Sequence, residues 1–349
     1  MFPYFHILWW KRLLSILRTQ NVCTGFPNRT DSNISFDNLT RTFSISPSVS
    51  QFDFYINGRR FVKFSTVNKQ ISDVEGMHYL YFDSSGVLQE TISDDHEILY
   101  NNAYVVAIYW NATDSKSEGV NDERHSTGRN PHSHIEYHER LGTYWKDGLA
   151  ISGLTVDGGG STETELQYGL TDGSFSDEDL LHTIQDGIGI DISPIATLPV
   201  AYRIGPGNWR QDAASNIPLK SFVGGSGLLA YNFFNGSTWS QVELPNSGYM
   251  CMHGYAIGNL TGEVVVFQGI NSYGTIIEAR AGSQIEIKNM SLDGYFSPEW
   301  IPLFTLIVQS STAYSNSKKA RYRSVDTGIT HIDWRFPGGS KLLIFKAVG

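Results

Sequence analysis

The sequence predicts an all-β protein with two β-rich domains, and two features carry this prediction. Residues 53–64 contain two short apolar-rich runs that meet at Asn57-Gly58. Asn and Gly tolerate the positive φ angles of a type I′ turn, whose twist matches that of the flanking strands, so this segment is expected to form a β-hairpin. Aromatic and β-branched runs, such as residues 103–110 and 263–268, are separated by Gly, Asn, Asp and Pro. That is the pattern of strands joined by turns.

The first 25 residues form an apolar, aromatic and basic tail. Phe5, Trp9 and Leu13 lie at helical spacing, and Trp10 adds a further aromatic side chain. Lys11-Arg12 interrupts the run, so it falls short of the ~20 apolar residues of a membrane span. We expect no membrane span and interpret Phe5, Trp9, Trp10 and Leu13 as a docking surface for another protein, with membrane-surface binding as the alternative.

Residues 26–156 are predicted to form an N-terminal β domain. Beyond the opening hairpin, residues 112–130 are polar and punctuated by Gly, which predicts a loop. A short helix is expected to follow at residues 131–140, with Pro131 in its first turn and Gly142 after its end. The other strands of this domain are predicted at residues 33–36, 42–46, 78–82 and 98–110.

The Gly-rich segment 157–162 is the predicted domain boundary and opens a connecting segment that extends to residue 218. Within it, residues 176–184 are expected to form a short helix, because Ser176 can cap it and acidic residues favour a first turn. Residues 219–349 are predicted to form a C-terminal β-sandwich or jelly roll. Its strands are expected at residues 228–234, 249–257, 263–268, 275–279, 284–289, 300–309 and 341–347.

Charge and cysteine content narrow the function classes. A net charge of −9 argues against nucleic acid as the main partner, because phosphate binding needs a concentrated basic field. The basic segment 318–323 is the one candidate for such a contact, and the alternative is a strand edge guarded by charge. Cys23 and Cys251 cannot build a disulfide framework and show no metal-ligand spacing, so both are predicted to be buried or inert thiols.

A histidine cluster supplies the only predicted ligand site. His125, His132, His134 and His138 lie in one short stretch together with three glutamates. If residues 131–140 are helical, His134 and His138 share a face and could share a metal. If the stretch is extended, His132 and His134 from three subunits could offer six nitrogens to one ion at a trimer axis. The third interpretation is structural, with these side chains bonding to one another and to backbone.

Nothing in the sequence predicts a catalytic residue, and no cofactor is expected apart from an ion at the histidine cluster. No G-x-S-x-G motif is present, and neither cysteine lies in a setting that would lower its pKa. Glycoside hydrolysis stays open, because the spacing of two carboxylates is a property of the fold. Four tryptophans could stack on sugar rings, although Trp in a β-sandwich is more often core: Trp209, Trp239, Trp300 and Trp334.

Several segments resemble a recurrent family of structural proteins of tailed bacteriophages. They are residues 25–36, 40–43, 122–125, 134–143, 148–153, 297–304 and 321–323. The resemblance covers nearly everything after residue 25 and carries no catalytic motif. It implies a virion component such as a tail fibre, an appendage or a head fibre that takes part in host attachment, as a homotrimer.

The alternatives to this interpretation are a carbohydrate-binding or carbohydrate-degrading receptor-recognition protein, whose partner would be a host-surface glycan, and a capsid decoration protein. A virion protein is expected to combine a docking tail, β domains and contacts with other capsid or tail proteins. A carbohydrate-active protein is expected to have a cleft with acids and stacked aromatic side chains.

Overall fold

The computed structural model describes residues 23–93, 101–128, 142–260, 263–289, 295 and 300–335. It confirms the all-β fold class, with seven sheets among these residues. The chain forms two compact units. The first unit comprises residues up to Gly142 together with Glu178–Leu180, and the second comprises Thr143–Asp177 and Leu181–Gly349. In the described part of the chain, no helix is long and apolar enough to cross a membrane.

Among its described residues, the first unit has nine antiparallel strands: β1 (Ser32–Asp37), β2 (Thr42–Pro47), β3 (Phe52–Ile56), β4 (Arg59–Lys63), β5 (Val67–Gln70), β6 (Gly76–Phe82), β7 (Leu88–Thr91), β8 (Ala103–Asn111) and β9 (Lys116–Asp122). They form three sheets, ordered β1-β2-β5, β3-β4 and β7-β6-β8-β9. Alternating residues of β3 face inward, and the rings of Phe54 and Phe82 stack in the core of this unit with centroids 4.1 Å apart.

The second unit contains the largest sheet together with helix α1 (Ile276–Asn289). Its further strands are β10 (Thr143–Gly148), β11 (Ile151–Ser152), β12 (Gly169–Leu170), β13 (Gly173–Asp177), β14 (Leu180–Ile184), β15 (Val200–Ile204), β16 (Asn208–Gln211), β17 (Ala230–Phe234), β18 (Trp239–Glu243), β19 (Tyr249–Ile257), β20 (Glu263–Gln268), β21 (Trp300–Ser310), β22 (Ala320–Arg323) and β23 (Ile332–Asp333). The large sheet has the order β16-β15-β20-β19-β21-β22, with β23 also paired to β21. Strands β15 and β20 run parallel, and β19 lies at its centre, paired with both β20 and β21.

The predicted hairpin at Asn57-Gly58 is confirmed. Asn57 has φ +49° and Gly58 has φ +77°, and these two residues join β3 to β4. Strands β19 and β20 also begin and end where the sequence places them, and β21 runs one residue further.

Four sequence predictions are corrected by the structure. Residues 275–279 and 284–289 were expected to be strands, but they lie in or at the start of helix α1. The predicted helix at residues 176–184 is instead the end of β13, a turn and β14, where Leu180, His182 and Ile184 alternate inward. The predicted loop 112–130 contains β9, which is paired to β8.

The two units divide at Gly142 and Thr143, whereas the sequence placed the boundary at the Gly-rich segment 157–162. That segment lies inside the second unit. The carbonyl of Gly160 accepts the N–H groups of Ser315 and Asn316, and Asp157 accepts hydrogen bonds from Ser324 and Arg323. Glycine here permits close packing, because a Cβ on Gly160 would lie 2.5 Å from the Tyr314 ring.

Candidate functional site

Strand β19 carries a thiol and an imidazole on the same face. Successive side chains of a strand alternate between its faces, so Cys251 and His253 point the same way while Met250 and Met252 point to the other side. The two methionines join the large hydrophobic core of the second unit. Cys251 and His253 are completely buried. They lie on the face that helix α1 covers, since the Cys251 thiol donates to the carbonyl of Ala279 at 3.4 Å.

Helix α1 brings a carboxylate over that face. The helix starts with a capping box: the Thr275 hydroxyl accepts the N–H of Glu278, and the Glu278 carboxylate accepts the N–H groups of Gly274 and Thr275. From this start the buried positions follow helical spacing through Ala279, Ser283 and Glu286. Glu286 is 1% exposed, so its carboxylate is removed from water.

Each oxygen of the Glu286 carboxylate has two hydrogen-bond partners. Oε1 accepts from the Tyr273 hydroxyl at 2.6 Å and from the Asn271 amide at 3.3 Å. Oε2 accepts from the backbone N–H of Ile270 at 3.1 Å and lies 3.0 Å from Nε2 of His253. A buried carboxylate needs this degree of pairing, because desolvation of an unpaired charge is strongly unfavourable.

The other ring nitrogen of His253 faces the hydroxyl of Thr305 on β21. Nδ1 lies 2.8 Å from the Thr305 oxygen, which also accepts the indole N–H of Trp334 at 2.8 Å. A neutral ring with its proton on Nε2 satisfies every partner, since Nε2 then donates to Glu286 and the Thr305 hydroxyl donates to Nδ1. The cluster therefore ties together β19, β21 and helix α1.

The electrostatics of the cluster do not favour nucleophilic chemistry. Burial, and then the nearby Glu286 carboxylate, raise the pKa of the Cys251 thiol well above its ordinary value. The same two causes raise the pKa of Tyr255 and of Tyr273. A thiol that stays protonated is a poor nucleophile, because the thiolate is the reactive species. Cys251 is buried as the sequence predicts, while Cys23 is only partly covered.

Donor atoms of three elements nevertheless converge here. Sγ of Cys251, a ring nitrogen of His253 and a carboxylate oxygen of Glu286 all lie within 4.8 Å of one another. Sulfur, imidazole nitrogen and carboxylate oxygen are ligand types of borderline-soft metal ions. Two less buried residues bond to the Glu286 end of the group, the half-buried Tyr273 and the exposed Asn271.

A second ionic cluster lies in the first unit. The guanidinium of Arg124 donates to both carboxylate oxygens of Asp122, each at 2.7 Å, and also to the carbonyls of Arg29 and Ser32. Burial disfavours ionisation of Asp122, but the bonds and charge of Arg124 outweigh it and keep the pKa of this carboxyl below its usual value. This pair fastens the end of β9 to the start of β1.

The two histidines that the structure describes in the first unit, His78 and His125, are also paired internally. His125 lies 2.8 Å from Asp179, whose pKa is lowered because hydrogen bonds from His125 and Ser126 outweigh the opposing effect of burial. His78 is buried between the Glu90 carboxylate at 2.7 Å and the Val74 carbonyl at 2.8 Å.

Most predicted site residues lie outside the described residues. These are the metal candidates His132, His134 and His138 and the docking residues Phe5, Trp9, Trp10 and Leu13. In the basic segment, Arg321 and Arg323 both donate to the side-chain oxygen of Gln309, which is the behaviour of a paired strand. Trp209 is buried, whereas Trp239, Trp300 and Trp334 are partly exposed.

Sequence reasoning missed the cluster around His253. One signal was available, since Cys251 and His253 are two residues apart within a predicted strand and so had to share a face. Glu286 gave no such signal, because its segment was predicted to be a strand and it lies 33 residues from His253.

Comparison of the chain with protein-family models, with curated proteins and with solved structures found no match.

Proposed function

We propose that this chain is a structural component of a tailed-phage virion, such as a tail fibre, an appendage or a head fibre, and that it works by assembly and not by turnover. The observation that supports this best is that several ionisable side chains are paired with one another inside the protein. The pairs His253–Glu286, Asp122–Arg124 and His78–Glu90 are buried or nearly so, and the members of each pair are bonded to one another. Side chains paired in this way stabilise a rigid β scaffold.

In this proposal the N-terminal tail attaches the protein to the particle through Phe5, Trp9, Trp10 and Leu13, and the chain assembles as a homotrimer. The N-terminal β domain follows the tail, and residues 219–349 serve as the C-terminal β-sandwich or jelly-roll domain. The support is the sequence resemblance together with the all-β architecture of both units.

The experiment is particle incorporation. Particles assembled with the full chain are compared with particles assembled with a chain that lacks residues 1–22, and copy number is measured by quantitative mass spectrometry. We expect the truncated chain to fold, as read by circular dichroism, and to be lost from the particle. Normal incorporation of the folded truncated chain would contradict the docking role. In a separate measurement, the labelled protein is located on the particle by electron microscopy. Its position distinguishes a tail or head fibre from a capsid decoration protein.

The second candidate function is recognition of a host receptor by binding its glycan, and one hairpin favours it. Phe234 and Trp239 are directly paired at the end of β17 and β18, with ring centroids 4.9 Å apart, and Phe234 is 46% exposed. The guanidinium of Arg203 lies 4.7 Å from the Trp239 ring centroid and 4.8 Å from that of Trp209. The connecting turn, residues 235–238, is uncharged and rich in hydroxyl and amide groups, which suits a neutral sugar.

Glycan-array binding tests this candidate. Phe234→Ala and Trp239→Ala should abolish binding, while Phe64→Ala, at an aromatic residue that is 71% exposed in the first unit, should leave it unchanged. Equal binding by all three variants would exclude the hairpin as the glycan site.

A further inference from the structure

The Cys251, His253 and Glu286 side chains have the composition of a metal site. Cys251 and His253 project from the same face of β19, and Glu286 comes down from helix α1. All three are buried, and their donor atoms lie within 4.8 Å of one another. A thiolate, an imidazole and a carboxylate are the ligand types that Zn²⁺ takes in proteins.

The distance between two of the donor atoms is close to the one that a bound ion requires. With ligand bonds of about 2.0–2.3 Å, tetrahedral geometry places neighbouring nitrogen and oxygen ligands about 3.3 Å apart. Nε2 of His253 and Oε2 of Glu286 are 3.0 Å apart. A movement of a few tenths of an ångström along that line would give these two atoms the separation of a tetrahedral site, and Sγ of Cys251 lies within 4.8 Å of both.

Charge balance supports the same assignment. The hydrogen bonds and ion pairs recorded for Glu286 among the described residues involve His253, Tyr273, Asn271 and a backbone N–H, and none involves Lys or Arg. A buried carboxylate is then compensated by neutral donors and one imidazole. One dication together with the Cys251 thiolate and the Glu286 carboxylate sums to zero charge, which is the favourable state of a dry interior.

The outer partners also match those of a metal site. A ligating histidine normally places its second ring nitrogen on a fixed hydrogen-bond partner, and ligating carboxylates are themselves hydrogen-bonded. Nδ1 of His253 faces Thr305, which Trp334 holds in place, and Glu286 accepts bonds from Ile270 and Tyr273. Glu286 is also bonded to the exposed Asn271 and the half-buried Tyr273, and we place the entry path on this side.

We propose that Cys251, His253 and Glu286 form a zinc site that fastens helix α1 to β19 and is independent of the virion role. On binding, the thiol proton of Cys251 leaves to solvent. The imidazole proton moves from Nε2 to Nδ1, and the Nδ1–H group donates a hydrogen bond to the Thr305 oxygen. The Thr305 hydroxyl then turns its own proton away from the ring. The three side chains leave the fourth position of the ion to a water molecule.

The test is metal content of the full chain, purified without a histidine tag from zinc-supplemented medium and measured by inductively coupled plasma mass spectrometry. We expect about one zinc ion per chain. Cys251→Ser and His253→Gln should each lower the zinc content per chain at least tenfold, because each variant removes one metal ligand. Cys23→Ser, at the other cysteine, should retain the metal.

A second measurement covers variants that fail to fold. The unaltered protein is treated with a chelator and reloaded with Co²⁺, whose thiolate charge-transfer band reports a bound sulfur. We expect the band, and a lower melting temperature after chelation. Less than about a tenth of an ion per chain, with a melting temperature that the chelator leaves unchanged, would overturn the proposal. Because both readouts use the isolated protein, they are independent of particle incorporation.

Discussion

The phenyl ring of Phe304 lies directly against Gly254, its partner across β19 and β21. A Cβ on Gly254 would come within 2.2 Å of the ring. The ring occupies the space that a side chain on the central strand would take, and Phe304 is itself buried in the large core.

Gly254→Ala is therefore expected to destabilise the second unit. Overpacking of a dense core costs about 1–3 kcal/mol, and the buried ring has little room to withdraw. Urea denaturation measures the loss. In the double variant Gly254→Ala/Phe304→Leu the smaller side chain removes the collision, so the two changes should destabilise by less than their sum. If the two single losses of unfolding free energy add up to the loss in the double variant, the Phe304 ring moves aside for the new Cβ and the prediction is wrong.

Gly282→Ala on helix α1 should also destabilise the protein, although Ala is the better helix former by about 1 kcal/mol. A Cβ at this position would lie 2.1 Å from the Tyr273 hydroxyl, which is the shortest hydrogen bond to Glu286. Displacing that hydroxyl leaves a buried carboxylate short of a donor, which costs about 1–3 kcal/mol. The free energy of unfolding, measured for the variant and the unaltered protein, shows which of these two opposing effects is larger. Gln284→Ala, on the exposed face of the same helix, is the control and should be neutral or slightly stabilising.

Asp122→Asn should strongly destabilise the first unit. The change leaves the Arg124 guanidinium buried without its counter-charge, and breaking a buried pair costs about 3–5 kcal/mol. The matched control is Asp53→Asn, whose partner Arg60 is half exposed, so the loss there should be much smaller because solvent screens an exposed pair. Similar losses for the two variants would show that burial of the Asp122 pair has no special weight.

Acid should weaken the first unit through the same carboxyl. The pKa of Asp122 is lower in the folded chain than the ordinary value of 3.8, so the unfolded chain takes up its proton first as the pH falls. The stabilisation is complete above the unfolded pKa and is lost as the pH falls through the folded pKa, that is, below about pH 4. An NMR titration of the Asp122 carboxyl gives the folded pKa directly. A midpoint at or above the ordinary value would contradict the assignment.

Local patterns predicted a large part of the strand architecture. Asn57-Gly58 specified its hairpin because few other residue pairs accept two consecutive positive φ angles. Strands β19 and β20 were predicted with their correct bounds, because β-branched and aromatic runs there are flanked by turn residues.

The errors come from places where local signals conflict. Ile276, Ile277, Ile285 and Ile287 favour a strand by type, yet the segment is helical. The capping box of Thr275 and Glu278 was visible in the sequence and would have predicted the helix start. At residues 176–184 the acidic turn resembles a helix start, while the inward alternation of Leu180, His182 and Ile184 decides for β14.

By itself the sequence determined the β-rich class and the shared orientation of Cys251 and His253, because side-chain alternation along a strand is a local property. Only the tertiary structure decided that Glu286 would meet them. That encounter depends on helix α1 crossing a strand far away in the chain, and on an interior that excludes water, so that the carboxylate must bond to His253, Tyr273 and Ile270. Neither long-range packing nor desolvation is encoded in any short window of residues.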